Sequence, residues 1–233
     1  MNQLAVPSDV RWPGLGGEAL PRLLEFNLLP SKTLHPAQVP YLAPPTGFSE
    51  ATAAALPSVL EILHRAWSQS LLSGLGAMAA PVLNLGEPAL PLALASPSLL
   101  QRLSRDLGIA LLGAALRKIV EREEVLRVRS DLGEDGMDWA LEGAAKLLPG
   151  SADAQGWVQA GWAEAADQLG CGLLAQAWHD APAPLRERAN WKLPPSSLGA
   201  KARGVSGLAA PQARAVCLQR LHQMEPTWLL CFP

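Results

Sequence analysis

A chain of 233 residues and 24.7 kDa is long enough for one generous domain or two small ones. Its 49% hydrophobic and 17% charged residues allow it to bury enough surface to offset the entropy of ordering, which excludes a disordered chain. A formal net charge of −2, with no basic stripe interleaved with aromatics, excludes a general attraction to nucleic acid or an anionic membrane.

Strand signals are scarce. There are only three isoleucines and four threonines, while Leu and Ala dominate, and these are residues that lose little in a helix. The expected fold is mainly α, with little or no β: a single compact multi-helix domain with long Pro/Gly-rich connections. Residues 1–19 read as a flexible leader and 20–233 as one helical domain. Asp9 and Arg11 fall where a signal peptide needs an apolar core.

In chain order, Leu20–Leu29 is a short apolar segment that stops at Pro30. Pro30, Pro36, Pro40, Pro44 and Pro45 then enforce extended or turning backbone, because proline fixes φ and lacks the amide donor. Ser49 is a candidate cap for a first turn. Pro57–Ser73 follows as a helix, with Leu56, Leu60, Leu63, Trp67 and Leu71 on one face, closed by Gly74 and Gly76. The uncharged stretch Ala66–Gly86 is broken by Ser, Gln, Asn, Gly and Pro, so it fails as a membrane span and no direct membrane insertion is expected. Pro81–Ala95 reads as an irregular apolar connection.

Ser96–Arg129 reads as one long helix, opened by the Ser96 hydroxyl and by Pro97 at the first helical position. Leu99, Leu103, Leu107 and Leu111 repeat every four residues, and Leu112, Leu116 and Val120 continue the stripe. Leu107–Leu116 carries no charge, as a segment surrounded by protein should. From Arg117 onward the same helix becomes a charged rod. It should end near Asp131–Gly133.

Asp138–Leu148 fits a further helix. Ala152–Trp178 fits another, capped by Ser151, with Val158, Trp162, Ala166, Leu169, Leu173 and Ala177 in a stripe. Gly161, Gly170 and Gly172 argue against its regularity, at about 1 kcal/mol each. Ala181–Ala210 reads as loop. Pro211 opens a last helix with Val216, Cys217, Leu221 and Met224 inward, and Pro226 ends it before the apolar tail Trp228–Phe232.

Signals for chemistry are missing. His35, His64, His179 and His222 never take the spacing that puts two imidazoles on one helical face. There is no nucleophile elbow, and no phosphate loop. Gly14–Gly17 is glycine-rich without a preceding strand. Asp131, Glu134, Asp135 and Asp138 resemble calcium ligands in composition but not in order. Cys171, Cys217 and Cys231 form neither a disulfide framework nor a zinc site, and read as reduced, buried thiols in a cytosolic setting. No cofactor or metal is expected. The residual enzyme reading needs a site assembled from distant groups such as His64, His179 and Asp180.

Two segments are candidate contact surfaces. One is the charged rod, where Arg117, Lys118 and Arg122 alternate with Glu121, Glu123 and Glu124, either as a solvated face of weak ion pairs or as a docking surface. The other is the tail, where Trp228, Leu229 and Phe232 either fold back on the domain or anchor a partner. Trp12 and Trp191 pose the same choice, whereas Trp67, Trp157 and Trp162 read as core.

Three segments together resemble the SctK proteins of bacterial type III secretion systems, the YscK/PscK group. Leu23–Pro40 is similar to that family's early segment, with Phe26, Pro30, His35 and Pro40 holding its aromatic, proline, histidine and second proline, although Asn27 stands where a cysteine is expected. Leu103–Val120 looks like its central helix, and Val216–Phe232 resembles its C-terminal helix and Met-x-Pro-Thr ending at Met224–Thr227. The resemblance implies a cytosolic sorting-platform adaptor at the cytoplasmic face of the inner membrane. It would link the ring protein SctD to the pod protein SctQ, and so to the stator SctL and the ATPase SctN, with no catalysis and no cofactor. A secretion chaperone is the alternative.

Overall fold

In a computed structural model, residues 15–45, 57–148, 156–204 and 206–233 are described. Ser49, Ser151, Trp12 and residues 1–14 of the expected leader lie outside them. Among the described residues there are helices and turns and no strand.

The centre of the domain is a crossing of two helices, α4 (Pro97–Leu116) and α8 (Trp162–Ala177). Helix α4 begins as its sequence dictates: the Ser96 hydroxyl accepts the Leu99 amide at 3.2 Å and Pro97 sits in the first turn. Leu103, Leu107, Leu112 and Leu116 are all buried, as are Gly108 and Gly113. At two points the helices approach to main-chain contact, with leucines packed around them. A methyl on Gly108 would overlap the Ala166 carbonyl, and one on Gly170 would overlap the Ser104 carbonyl. Gly172 gives the same close approach to the Ala202 carbonyl of α10 (Ala200–Gly204). Glycines that weaken an isolated helix here let α8 lie flush on its neighbours, and α8 stays regular through both. Its start differs from expectation. Gly161 adopts φ +114° and the helix opens at Trp162 rather than near Ala152. The Asp131 carboxylate accepts the Trp162 amide at 3.2 Å, capping α8 from another element.

Around this crossing pack α1 (Ala19–Leu28), α2 (Pro57–Leu75), the short buried turn α3 (Leu90–Leu94), α5 (Arg122–Leu132) and α6 (Glu134–Asp138). A π-helical turn at Trp139–Gly143 joins α6 to α7 (Ala144–Leu147). Next come α9 (Ala183–Asn190), α10, α11 (Ala210–Met224) and the single turn α12 (Pro226–Leu229). Residues from α1, α3 to α9, α11 and α12 share one apolar cluster, while buried Trp67 and Leu71 of α2 lie outside it.

Two expected loops are therefore partly helical. Pro81–Ala95 contains α3, whose Leu90, Leu92 and Leu94 are essentially unexposed. Ala181–Ala210 contains α9 and α10. Helices this short do not hold themselves together, and tertiary packing supplies what propensity lacks. In α9, Leu185 and Ala189 are buried. Arg188, 1% exposed, donates to the carbonyls of Met78, Ala79 and Pro184.

The proline-rich segment after α1 winds through 3-10 turns at Pro30–Thr33 and Pro36–Gln38. His35 accepts the Ala37 amide through Nδ1, and its own amide donates to the Trp191 carbonyl. Buried Asn27 makes two bonds to the main chain of Val82, donating to its carbonyl at 3.0 Å and accepting its amide at 2.8 Å. A thiol at that position would leave at least one of those backbone groups unpaired.

Candidate partner-docking surface

The expected single helix over Ser96–Arg129 is two helices. Helix α4 ends at Leu116, the amides of Lys118 and Ile119 close 3-10 bonds to Ala115 and Leu116, and Glu121 turns extended before α5 begins. Local and tertiary causes agree. Ile119 and Val120 are adjacent β-branched residues, poor helix formers. A straight continuation would also carry Val128 and Leu132 away from the core, whereas the elbow returns them to burial. Helix α5 has its own signature, with Glu123 and Glu124 in the first turn, Arg129 in the last, and Gly133 at φ +78° beyond it.

The elbow leaves Arg117, Lys118 and Arg122 exposed, with Val120 between them 88% exposed. Glu124 is committed inward. Its carboxylate accepts Arg127 at 3.1 Å and the Trp162 indole at 3.2 Å, beside an open cleft of about 570 Å³ floored by Ala115, Val158 and Trp162.

The tail lies elsewhere. Trp228 is only 9% exposed: its indole donates to the Pro91 carbonyl at 3.0 Å and meets the Phe232 ring edge-on at 5.1 Å between centroids. Leu229 and Phe232 are half-buried against the core. Of the two alternatives for this tryptophan, folding back is the one realised here, and the side chain presents almost no surface to a partner. Trp191 is also half-buried. Replacing Trp228 by alanine is expected to lower stability by about 2–3 kcal/mol and to hasten proteolysis of the last turn, measured by urea unfolding and limited digestion. An unchanged midpoint would contradict this account of the tail.

The groups suggested for a dispersed catalytic site are used structurally. His64 approaches the Ser31 hydroxyl at 2.9 Å, His179 meets Arg203 at 2.7 Å, and Asp180 pairs with Arg214. None of the three lines the cleft beside Trp162. Acidic Asp106 and Asp167 are likewise taken up, by Arg220 and Arg105 respectively. These pairs tie α11 and α8 to α4, and Arg220 lies over the Trp139 ring at 3.6 Å. Cys171 and Cys217 are buried free thiols, and burial pushes the Cys171 thiol up to about 11.

Sequence reasoning missed Lys192. Fully buried, its ammonium donates to the carbonyls of Ala93 at 2.7 Å and Ala95 at 2.5 Å, next to the Phe26 ring. Burial pushes its pKa down to about 7, helped by Arg22 and opposed by Glu25. Nothing in its local sequence, Trp-Lys-Leu-Pro, marks it as an interior residue.

Residues 65–232 match the family model described as YOP proteins translocation protein K (YscK). The chain belongs to the YscK family. That is the SctK family of type III secretion proteins, and the match covers the α4–α8 crossing, the elbow, α5 and the tail. No curated protein and no solved structure matches the chain. As a type III secretion protein, this YscK-family member has, among the described residues, no helix long and apolar enough to cross a membrane.

Proposed function

We propose that the protein is a non-catalytic adaptor of the type III secretion sorting platform, working at the cytoplasmic face of the inner membrane. It would join an SctD-like ring protein to an SctQ-like pod protein, and through that to SctL and SctN. Family membership over residues 65–232 is the observation that carries this reading. The scaffold suits it. A crossing made by backbone contact at Gly108 and Gly170 leaves little freedom for the helices to slide, so surfaces at its ends keep a fixed relation. The mechanism is binding that positions one ring against another, with transport energy supplied elsewhere.

Deleting the gene is expected to abolish secretion and pod assembly while leaving the membrane rings in place. Pull-down of the tagged protein should bring down the pod and ring components. Normal pods in the deletion strain would refute the adaptor role. Recovery of one exported substrate in their place would point to a chaperone.

A further inference from the structure

Among the described residues, every arginine is bonded to a carboxylate, a backbone carbonyl or His179, with three exceptions: Arg117, Arg122 and Arg129. All three lie on the elbow or on α5, and all are exposed. Lys118, also exposed and without an ion pair, stands beside Arg117. At about 100° per residue, Arg122, Leu126 and Arg129 fall within roughly 60° of one another on α5. They form a single solvent-exposed stripe that borders the buried face of Val128 and Leu132. Leu126 is 55% exposed in the middle of it, and Val120 is exposed at its upstream end.

A solvated helix face normally pairs its cations locally, as Glu124 and Arg127 do on the flank of this same helix. The stripe keeps its cations unpaired and places an apolar side chain between them, which is the pattern of a contact surface. We propose that this stripe docks an acidic amphipathic helix, with carboxylates meeting Arg122 and Arg129 and an apolar side chain on Leu126, and that Arg117, Lys118 and Val120 extend the contact. The two guanidinium positions are separated along α5 by about 10 Å, which a partner helix lying alongside matches with two acidic residues two turns apart. A uniformly anionic bilayer fits less well, because exposed Glu121 and Glu123 border the stripe and would be repelled by it, whereas a patterned partner avoids them. The inference names a partner chemistry for the adaptor and rests on that reading.

The test uses the full chain and a fluorescein-labelled peptide helix carrying glutamates at the same helical spacing around a leucine, with a shuffled peptide of equal composition as control. Anisotropy should show binding that weakens as salt rises. The double substitution Arg122→Glu with Arg129→Glu should weaken it at least ~10-fold, and Leu126→Ala several-fold. Circular dichroism should be unchanged, since all three residues are exposed. Three results would overturn the proposal: equal binding of the shuffled peptide, no effect of the double substitution, or binding to phosphatidylcholine–phosphatidylglycerol vesicles without binding to the peptide. In cells, the double variant should secrete poorly. If it secretes normally while the deletion strain does not, the stripe is overturned and the adaptor reading stands; if the deletion strain itself secretes, the adaptor reading falls.

Discussion

Alanine at Gly108 or at Gly170 is expected to cost about 3 kcal/mol or more, enough to lower the melting temperature of a chain this size by roughly 10 °C. Each added methyl would fall on a main-chain carbonyl of the opposite helix, Ala166 for one and Ser104 for the other. A flexible side chain can rotate away from such an overlap, but a carbonyl inside a helix cannot without breaking its own ladder. The two helices would have to separate, loosening the contacts of Leu103, Leu107 and Leu169 at the crossing. Gly74 is the control. It lies in α2 with nothing within 4 Å of a built methyl, so Gly74→Ala should be neutral or stabilise by about 0.5–1 kcal/mol. Thermal unfolding of the three variants side by side decides the matter, and equal melting temperatures would dismiss the backbone-contact account of the core.

Lys192 should make stability depend on pH. In the folded protein burial lets its proton go near pH 7, while the unfolded chain holds it to the ordinary lysine value of 10.5. Between those values the unfolded state binds more protons, so stability rises with pH across that window. The cost of the buried charge is felt in full below pH 7. The whole effect is of the order of a few kcal/mol. Urea titrations between pH 7.5 and pH 8 follow it with least interference. The unfolded-state imidazoles of His35 and His64, ordinary value 6.5, are already neutral there. The Cys171 and Cys217 thiols, raised above the ordinary 9.0 by burial, are largely protonated in both states. Lys192→Met keeps the apolar stem and should flatten the rise, at a loss of about 1–3 kcal/mol at the top of the window from the Ala93 and Ala95 carbonyls it no longer bonds. A parent and a Met variant with parallel pH profiles would rule out Lys192 as the source.

How far these features could be read beforehand depends on how local their causes are. The start of α4 is local, a Ser-Pro cap followed by leucines every four residues, and it stands where the residues put it. Its end is half local. The acidic first turn and basic last turn of α5 were visible in Glu123, Glu124 and Arg129, but the continuous charge pattern made the elbow read as one rod. The start of α8 depends on Asp131, which caps it from α5, 31 residues earlier in the sequence, so no window around Trp162 could place it. Helices α3 and α9 exist because their leucines are buried by partners far away in sequence. The basic residues of the candidate surface were legible as exposed charge. The absence of ion pairs, among the described residues, at Arg117, Arg122 and Arg129 was not, since it depends on where the carboxylates go in three dimensions. Trp228 shows the converse. Composition marked it as apolar and terminal, and only the position of the Pro91 carbonyl decides that it turns inward.

The Gly16 amide donates to the Cys231 carbonyl at 3.0 Å, so the first described residues and the last meet at one corner. That corner includes Ser96 and Leu99, the opening turn of α4. The elbow and its cations begin where α4 closes. A helix of 20 residues is about 30 Å long, and α4 therefore acts as a spacer of set length between two poles. Gly16 and Cys231 lie at one pole, while Arg117 and Lys118, at the upstream end of the basic stripe, stand at the other. A fluorophore on the tail and another on a stripe-bound helix would read that spacing directly, as with a ruler whose divisions are turns of α4.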